Sequence, residues 1–103
     1  MTHRPPGKLM SQEFELVHNH HERAVFAAVN EAAARYPAIE AKNLLADVAC
    51  VALNRLPPRY IRHEVDFAFY LSDAERHENQ VAVEEAVNFA FEFVQARAAM
   101  RAR

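Results

Sequence analysis

The sequence has almost no glycine: Gly7 is the only one in 103 residues. A phosphate-cradling loop needs several residues free to take positive φ, so neither a P-loop nor a dinucleotide fingerprint fits anywhere. Cysteine is equally scarce. With Cys50 alone, no disulfide within the chain and no cysteine-built zinc site can form. Cys50 lies in the apolar run Val48 to Leu53, where a thiol behaves as a small hydrophobe, and a buried structural place is expected for it. Hydroxyl nucleophiles are few as well: besides tyrosine there are only Thr2, Ser11 and Ser72. None has a triad-like context. These absences argue against an enzyme before any motif is read.

No apolar run comes near the roughly 20 residues that a bilayer crossing takes. The first ten residues carry Arg4 and Lys8 with no apolar stretch behind them. No membrane partner and no secretory signal are therefore expected, and a cytoplasmic place is.

What is present fits one domain with one modest core: 51% hydrophobic and 25% charged residues. Residues 1–10, with Pro5, Pro6 and Gly7, read as a disordered tail, and 11–103 as a single helical domain. The net charge is −2, yet ten of the twelve basic residues are arginine. Arginine carries a planar fork of donors suited to phosphates and guanine edges. A GC-rich genome, which favours Arg and Ala codons, explains the same excess, so position rather than number has to decide.

The periodicity predicts three main helices and one strand, a mainly α fold with minor β. Ser11 is an N-cap candidate, and Phe14, Val17, His21, Val25, Val29, Ala32 and Tyr36 recur at helical steps. They predict about six turns, stopped before Pro37. A second helix, Ile39 to Leu56, carries so few polar positions that it is expected to be the central one, and Pro57 and Pro58 end it. Val65, Phe67, Phe69 and Leu71 then alternate with Asp66, Ala68, Tyr70 and Ser72, the two-residue repeat of a strand. A solitary strand leaves unpaired backbone groups. Pairing with a second copy across a two-fold axis solves that, so a homodimer is expected. Ser72 and Glu75 fit a capping box. The last helix is read as roughly 79–101, with a stripe of Val83, Ala86, Val87, Ala90, Phe91 and Val94 that Phe89 and Phe93 widen. Arg97, Arg101 and Arg103 complement its dipole and ask for no functional explanation.

One segment concentrates charge. From Val48 through His63 there is no acidic residue, while Arg55, Arg59 and Arg62 all fall there, with Tyr60 between two of them. The double proline fixes the backbone and lowers the entropy lost on engaging a ligand. Asn54, Arg55, Arg59, Tyr60 and Arg62 are the candidate ligand-binding residues. Two arginine forks can take phosphates or guanine edges, and Tyr60 can stack on a base. The alternative is structural: arginines after a helix end bond its free carbonyls, and Tyr60 belongs to the core.

Asp47-Val48, the apolar run to Leu53 and the stretch Asn54 to Tyr60 resemble the signature of the late competence development protein ComFB family. That family's pattern in the first helix is matched by Asn19, Glu22 and Val25, and the resemblance covers about residues 14–96. It implies a small, helical, dimeric bacterial regulator. Proteins similar to this one are described as receptors for cyclic dinucleotides, chiefly cyclic di-GMP, in competence, pilus motility or cell-size control. No enzymatic cofactor is expected. Some members carry a cysteine cluster between the first two helices, suited to zinc; residues 37–46 here contain none, which puts that metal in doubt.

Weaker candidates complete the reading. His18 and His21 fall on one face of the expected first helix, with His20 and Glu22 near them, but no third metal ligand stands out. Glu84 and Glu85 read as an exposed helix face. The leading expectation is a dimeric receptor for a cyclic dinucleotide with a protein partner downstream. The competing one is a protein–protein adaptor without a small ligand, using Phe67, Tyr70 and the strand edge. Direct DNA binding is disfavoured by the net charge of −2 and a pI near 6.3.

Overall fold

The computed structural model describes residues 12–101. The expected tail 1–10 and the Ser11 cap lie outside them. Five α-helices follow one another: α1 (Glu22–Ala32), α2 (Pro37–Ala41), α3 (Leu45–Arg55), α4 (Glu64–Tyr70) and α5 (Asp73–Arg101). Two strands of two residues each, β1 (His18–Asn19) and β2 (Tyr60–Ile61), pair antiparallel with His18 opposite Ile61 and Asn19 opposite Tyr60. The fold is mainly α with a minor β element.

The core lies where α1, α3 and α5 meet. It holds Val25, Val29 and Ala32 from α1, Val48, Ala49 and Ala52 from α3, and Val83, Ala86, Val87, Ala90, Phe91 and Val94 from α5. The α5 stripe is the predicted one, residue for residue. Phe91 is its largest fully buried side chain, and the Tyr36 ring stacks on it at 4.3 Å. The Tyr36 hydroxyl donates to Glu92 Oε1 at 3.1 Å. Desolvation, and then that carboxylate, hold the phenol proton above its usual range. Phe89 and Phe93, expected to widen the stripe, instead stack on each other on the exposed side of α5.

Four other expectations are corrected. The first helix does not run from 11 to 36: residues Gln12–Leu16 form a 3₁₀ turn, β1 follows, and α1 begins only at Glu22. Phe14 and Val17 are exposed in consequence. The cause is Asn19, whose Oδ1 accepts the N–H of His21 at 3.2 Å while its own N–H donates to Glu22 Oε2 at 3.2 Å. This local turn offers the backbone an alternative to helix. The second helix is broken in two at Asn43, whose φ of 58° is left-handed, a conformation asparagine tolerates. Pro37 starts α2 at its first position, where a missing N–H costs nothing.

The third correction removes the strand 65–72, which is helix α4. Its inward face is Glu64, Phe67 and Leu71, spaced as one side of a helix, while Val65, Asp66, Ala68, Phe69 and Tyr70 are exposed. A lone helix satisfies its own N–H groups, which a lone strand cannot. Glu64 and Asp66 sit in its first turn, favoured by the helix dipole, and the Arg76 guanidinium donates to the Ala68 carbonyl at 2.7 Å near its end. The argument for a dimer through an unpaired strand edge lapses with the strand. The capping box is present: Ser72 Oγ accepts the Glu75 N–H at 3.1 Å, and Glu75 Oε1 accepts from Ser72. α5 accordingly starts at Asp73, earlier than expected. Finally, Cys50 is exposed rather than buried; α3 turns Val48, Ala49 and Ala52 to the core, and residue 50 points away from them.

Candidate ligand-binding site

The segment after α3 is built by its prolines and by β1. Leu56 leaves the helix extended, at φ −83° and ψ 139°, as a residue before proline must, and its side chain is buried. Neither Pro57 nor Pro58 has an N–H to satisfy. Arg59 then enters the ladder: its N–H donates to Asn19 Oδ1 at 3.3 Å and its carbonyl accepts the N–H of His20 at 2.7 Å. His21, itself buried, bonds the Pro57 carbonyl through its ring. The backbone around the prolines is thus pinned from three positions on the strand and turn before α1.

The arginines are held by aromatic faces. Arg55, in the last turn of α3, lays its guanidinium carbon 3.7 Å from the centre of the Phe89 ring on α5. Arg59 stands 4.6 Å above the Phe67 ring on α4. Such contacts contribute about 0.5–1 kcal/mol at exposed sites and favour the fork's resting place over the ring. Among the described residues neither guanidinium makes a hydrogen bond or an ion pair. Arg62 differs: its Nη1 lies 3.8 Å from Glu13 Oε1, an exposed pair worth roughly 0–1 kcal/mol. Tyr60 is 67% exposed and is no part of the core. Asn54 is exposed beside Arg55 at the helix end. The structural alternative, with forks bonded to carbonyls, holds for none of the three arginines among the described residues.

Phe67 also receives the His20 ring at 4.3 Å. Desolvation, then the neighbouring His21, lower the proton affinity of His20, with Arg59 adding to the effect. His21 is lowered as well, first by desolvation. His18 goes the other way: its Nδ1 donates to the Leu16 carbonyl at 2.8 Å, and Nε2 faces Glu64 Oε1 at 3.4 Å, which raise its affinity. The expected pairing of His18 with His21 on one helix face is not found, because His18 sits in β1. Among the described residues no three metal-ligating side chains converge. Glu84 and Glu85 are exposed on α5, as expected.

Sequence reasoning named the arginines but missed their supports, Phe67, Phe89, Asn19 and His21. Only Asn19 had a signal, as one member of the Asn19, Glu22, Val25 pattern. Each of those three now has a structural reason: Asn19 organises the turn, Glu22 accepts its N–H, and Val25 is fully buried.

No curated protein and no solved structure matches the chain. A family model does, that of late competence development protein ComFB, and it takes in residues 18–98, from β1 through nearly all of α5. That span contains the Asn19 turn, the double proline with its three arginines, and the three-helix core, and the chain belongs to the ComFB family.

Proposed function

We propose that this protein is a non-enzymatic, cytoplasmic regulatory receptor that takes a cyclic dinucleotide, cyclic di-GMP first, on Asn54, Arg55, Arg59, Tyr60 and Arg62. The observation that carries the reading is the pair of stacked arginines. Arg55 and Arg59 lie against the faces of Phe89 and Phe67, and their donor edges meet no acceptor among the described residues. A fork already resting on a ring loses less entropy when it takes a phosphate or a guanine edge. Tyr60, exposed between Arg59 and Arg62, offers a ring to a base. Family membership supports a regulatory role.

The test is calorimetry of the full chain with cyclic di-GMP. Binding is expected, and Arg59→Ala abolishes it while the variant stays folded. Absence of heat at high protein concentration overturns the reading.

A second reading, a protein–protein adaptor, draws on α4. Val65, Phe69 and Tyr70 are 82%, 85% and 83% exposed on one short helix, more large apolar side chain than solvent favours. The same surface suits a homodimer contact in place of the strand edge. Under the receptor reading, light scattering gives a dimer that Phe69→Glu splits. A partner recovered in a pull-down with no nucleotide bound would favour the adaptor.

A further inference from the structure

The opposite end of α3 holds a groove that the receptor reading does not use. α3 and α5 run antiparallel: Arg55, at the end of α3, lies on Phe89, whereas the first turns of α3 face the last turns of α5. Between them is a cavity of about 490 Å³, within the range of small-molecule sites. Leu44, Val51 and Val94 are among the apolar side chains that line it, and Lys42, from the α3 side, and Arg97 and Arg101, from α5, line it too.

Arg97 and Arg101 are one helical turn apart and share a face. Position at the end of α5 explains two cations by the helix dipole; it does not explain Lys42, which comes from the turn before α3. None of the three cations has a hydrogen bond or salt bridge among the described residues. Asp47 is the one acidic side chain in the lining, so the groove carries a net charge of about +2 in a chain whose total is −2. α3 begins here without a side-chain cap, and its positive end adds to the field.

We propose that this groove binds a phosphate monoester carried on an apolar body. The charge decides between headgroups: a phosphomonoester bears about −1.5 to −2 at neutral pH, which matches the excess, whereas a carboxylate or a phosphodiester bears one negative charge. Arginine forks take phosphate oxygens in pairs, and the Leu44, Val51 and Val94 wall takes the body. The site is separate from the Arg55–Arg62 segment; α3 alone puts about 16 Å between its two ends.

Cys50 lines the groove, is exposed, and is the only cysteine of the chain, so it reports occupancy. The full chain is alkylated with N-ethylmaleimide in the presence of octyl phosphate below its micelle-forming concentration, and the rate is read by mass spectrometry. Alkylation should slow about five-fold when the ligand stands at about four times its Kd, by mass action. Octanol and inorganic phosphate, each lacking one half of the ligand, should protect far less. Arg97→Ala/Arg101→Ala should lose the protection, read as the ratio of that variant's own rates with and without ligand because cations beside a thiol set its ligand-free rate. Lys42→Ala should weaken the ratio, and Arg35→Ala, a cation elsewhere, should keep it. Sedimentation with phosphatidate-containing vesicles separates the sources: wild type that pellets while the double variant stays in solution assigns a lipid headgroup, and protection without pelleting assigns a soluble phosphomonoester. An unprotected thiol at millimolar octyl phosphate overturns the proposal. So does equal protection by octanol or in the double variant.

Discussion

α4 and α5 are neighbours in the chain, joined by Leu71 and Ser72, and both are helices, but they are held in different ways. α5 buries six side chains against α1 and α3. α4 buries none. It is kept in place by Phe67 against His20 and Arg59, by Glu64 facing His18 and Arg23, and by Arg76 on the Ala68 carbonyl. The first arrangement is a shared core and should melt as one unit. The second is a set of polar and aromatic tethers, the low-stability end of a fold, where binding surfaces tend to be drawn from. Both arginine stacks touch this division: Arg55 rests on α5, and Arg59 on α4.

The sharpest way to break the comparison is to truncate one aromatic on each side. Phe91→Ala empties a fully buried position and should cost about 3–5 kcal/mol of unfolding free energy, read from urea denaturation. Phe67→Ala should cost much less globally, and instead raise hydrogen exchange across 64–70 with little change elsewhere. Equal losses from the two variants would mean that α4 is part of the cooperative core.

Asn19 joins the two regions, and Asn19→Ala comes next in size. Its Oδ1 accepts from the N–H groups of both His21 and Arg59, and the side chain is almost fully buried. Removing it leaves two donors unpaired, at a cost of about 1–3 kcal/mol. The loss should appear in the thermal midpoint together with weaker binding of the proposed dinucleotide, because the Arg59 backbone would lose its anchor. Unchanged stability would show that water replaces the amide, and that β1 does not position the arginine segment.

These residues also mark where the sequence could be read and where it could not. The α5 stripe was legible because a long amphipathic helix repeats its signal over many turns, and the Ser72–Glu75 cap because its two partners are three residues apart. The start of α1 was not legible: Phe14 and Val17 keep helical spacing with Val25, and nothing in their own positions reveals that β2 pairs with His18 and Asn19. The sequence of α4 also fits a strand, because seven residues are too few to separate a period of two from one of 3.6 when apolar residues fall on both. Its helix comes from tethers supplied by His18, Arg23 and Arg76 on other elements. The candidate arginines were legible as an acid-free cluster. Their aromatic supports were not, since Phe89 and Phe67 are brought to Arg55 and Arg59 only by the packing of α3 against α5 and by the fold of α4.

The smallest expected effect is the most specific to the tethered region, because His18, His20 and His21 lie just before α1, beside it. His20 and His21 have lowered affinity for protons in the fold, chiefly through desolvation, so the unfolded chain takes up protons that the folded one refuses. Their contribution is intact above the ordinary histidine value of about 6.5 and declines as pH falls through it. His18 is raised, through the Leu16 carbonyl and Glu64; its contribution is complete below about 6.5 and is lost as pH rises through its higher folded value. Stability should therefore peak near pH 6.5, fall modestly toward pH 5 and slightly toward pH 8. Melting temperatures at constant ionic strength measure this. In His20→Gln/His21→Gln the acid limb should flatten, while the alkaline limb persists until His18 is replaced. An acid limb of unchanged slope in the double variant would assign it to carboxylates, and the imidazoles would then be spectators to the tethering of α4.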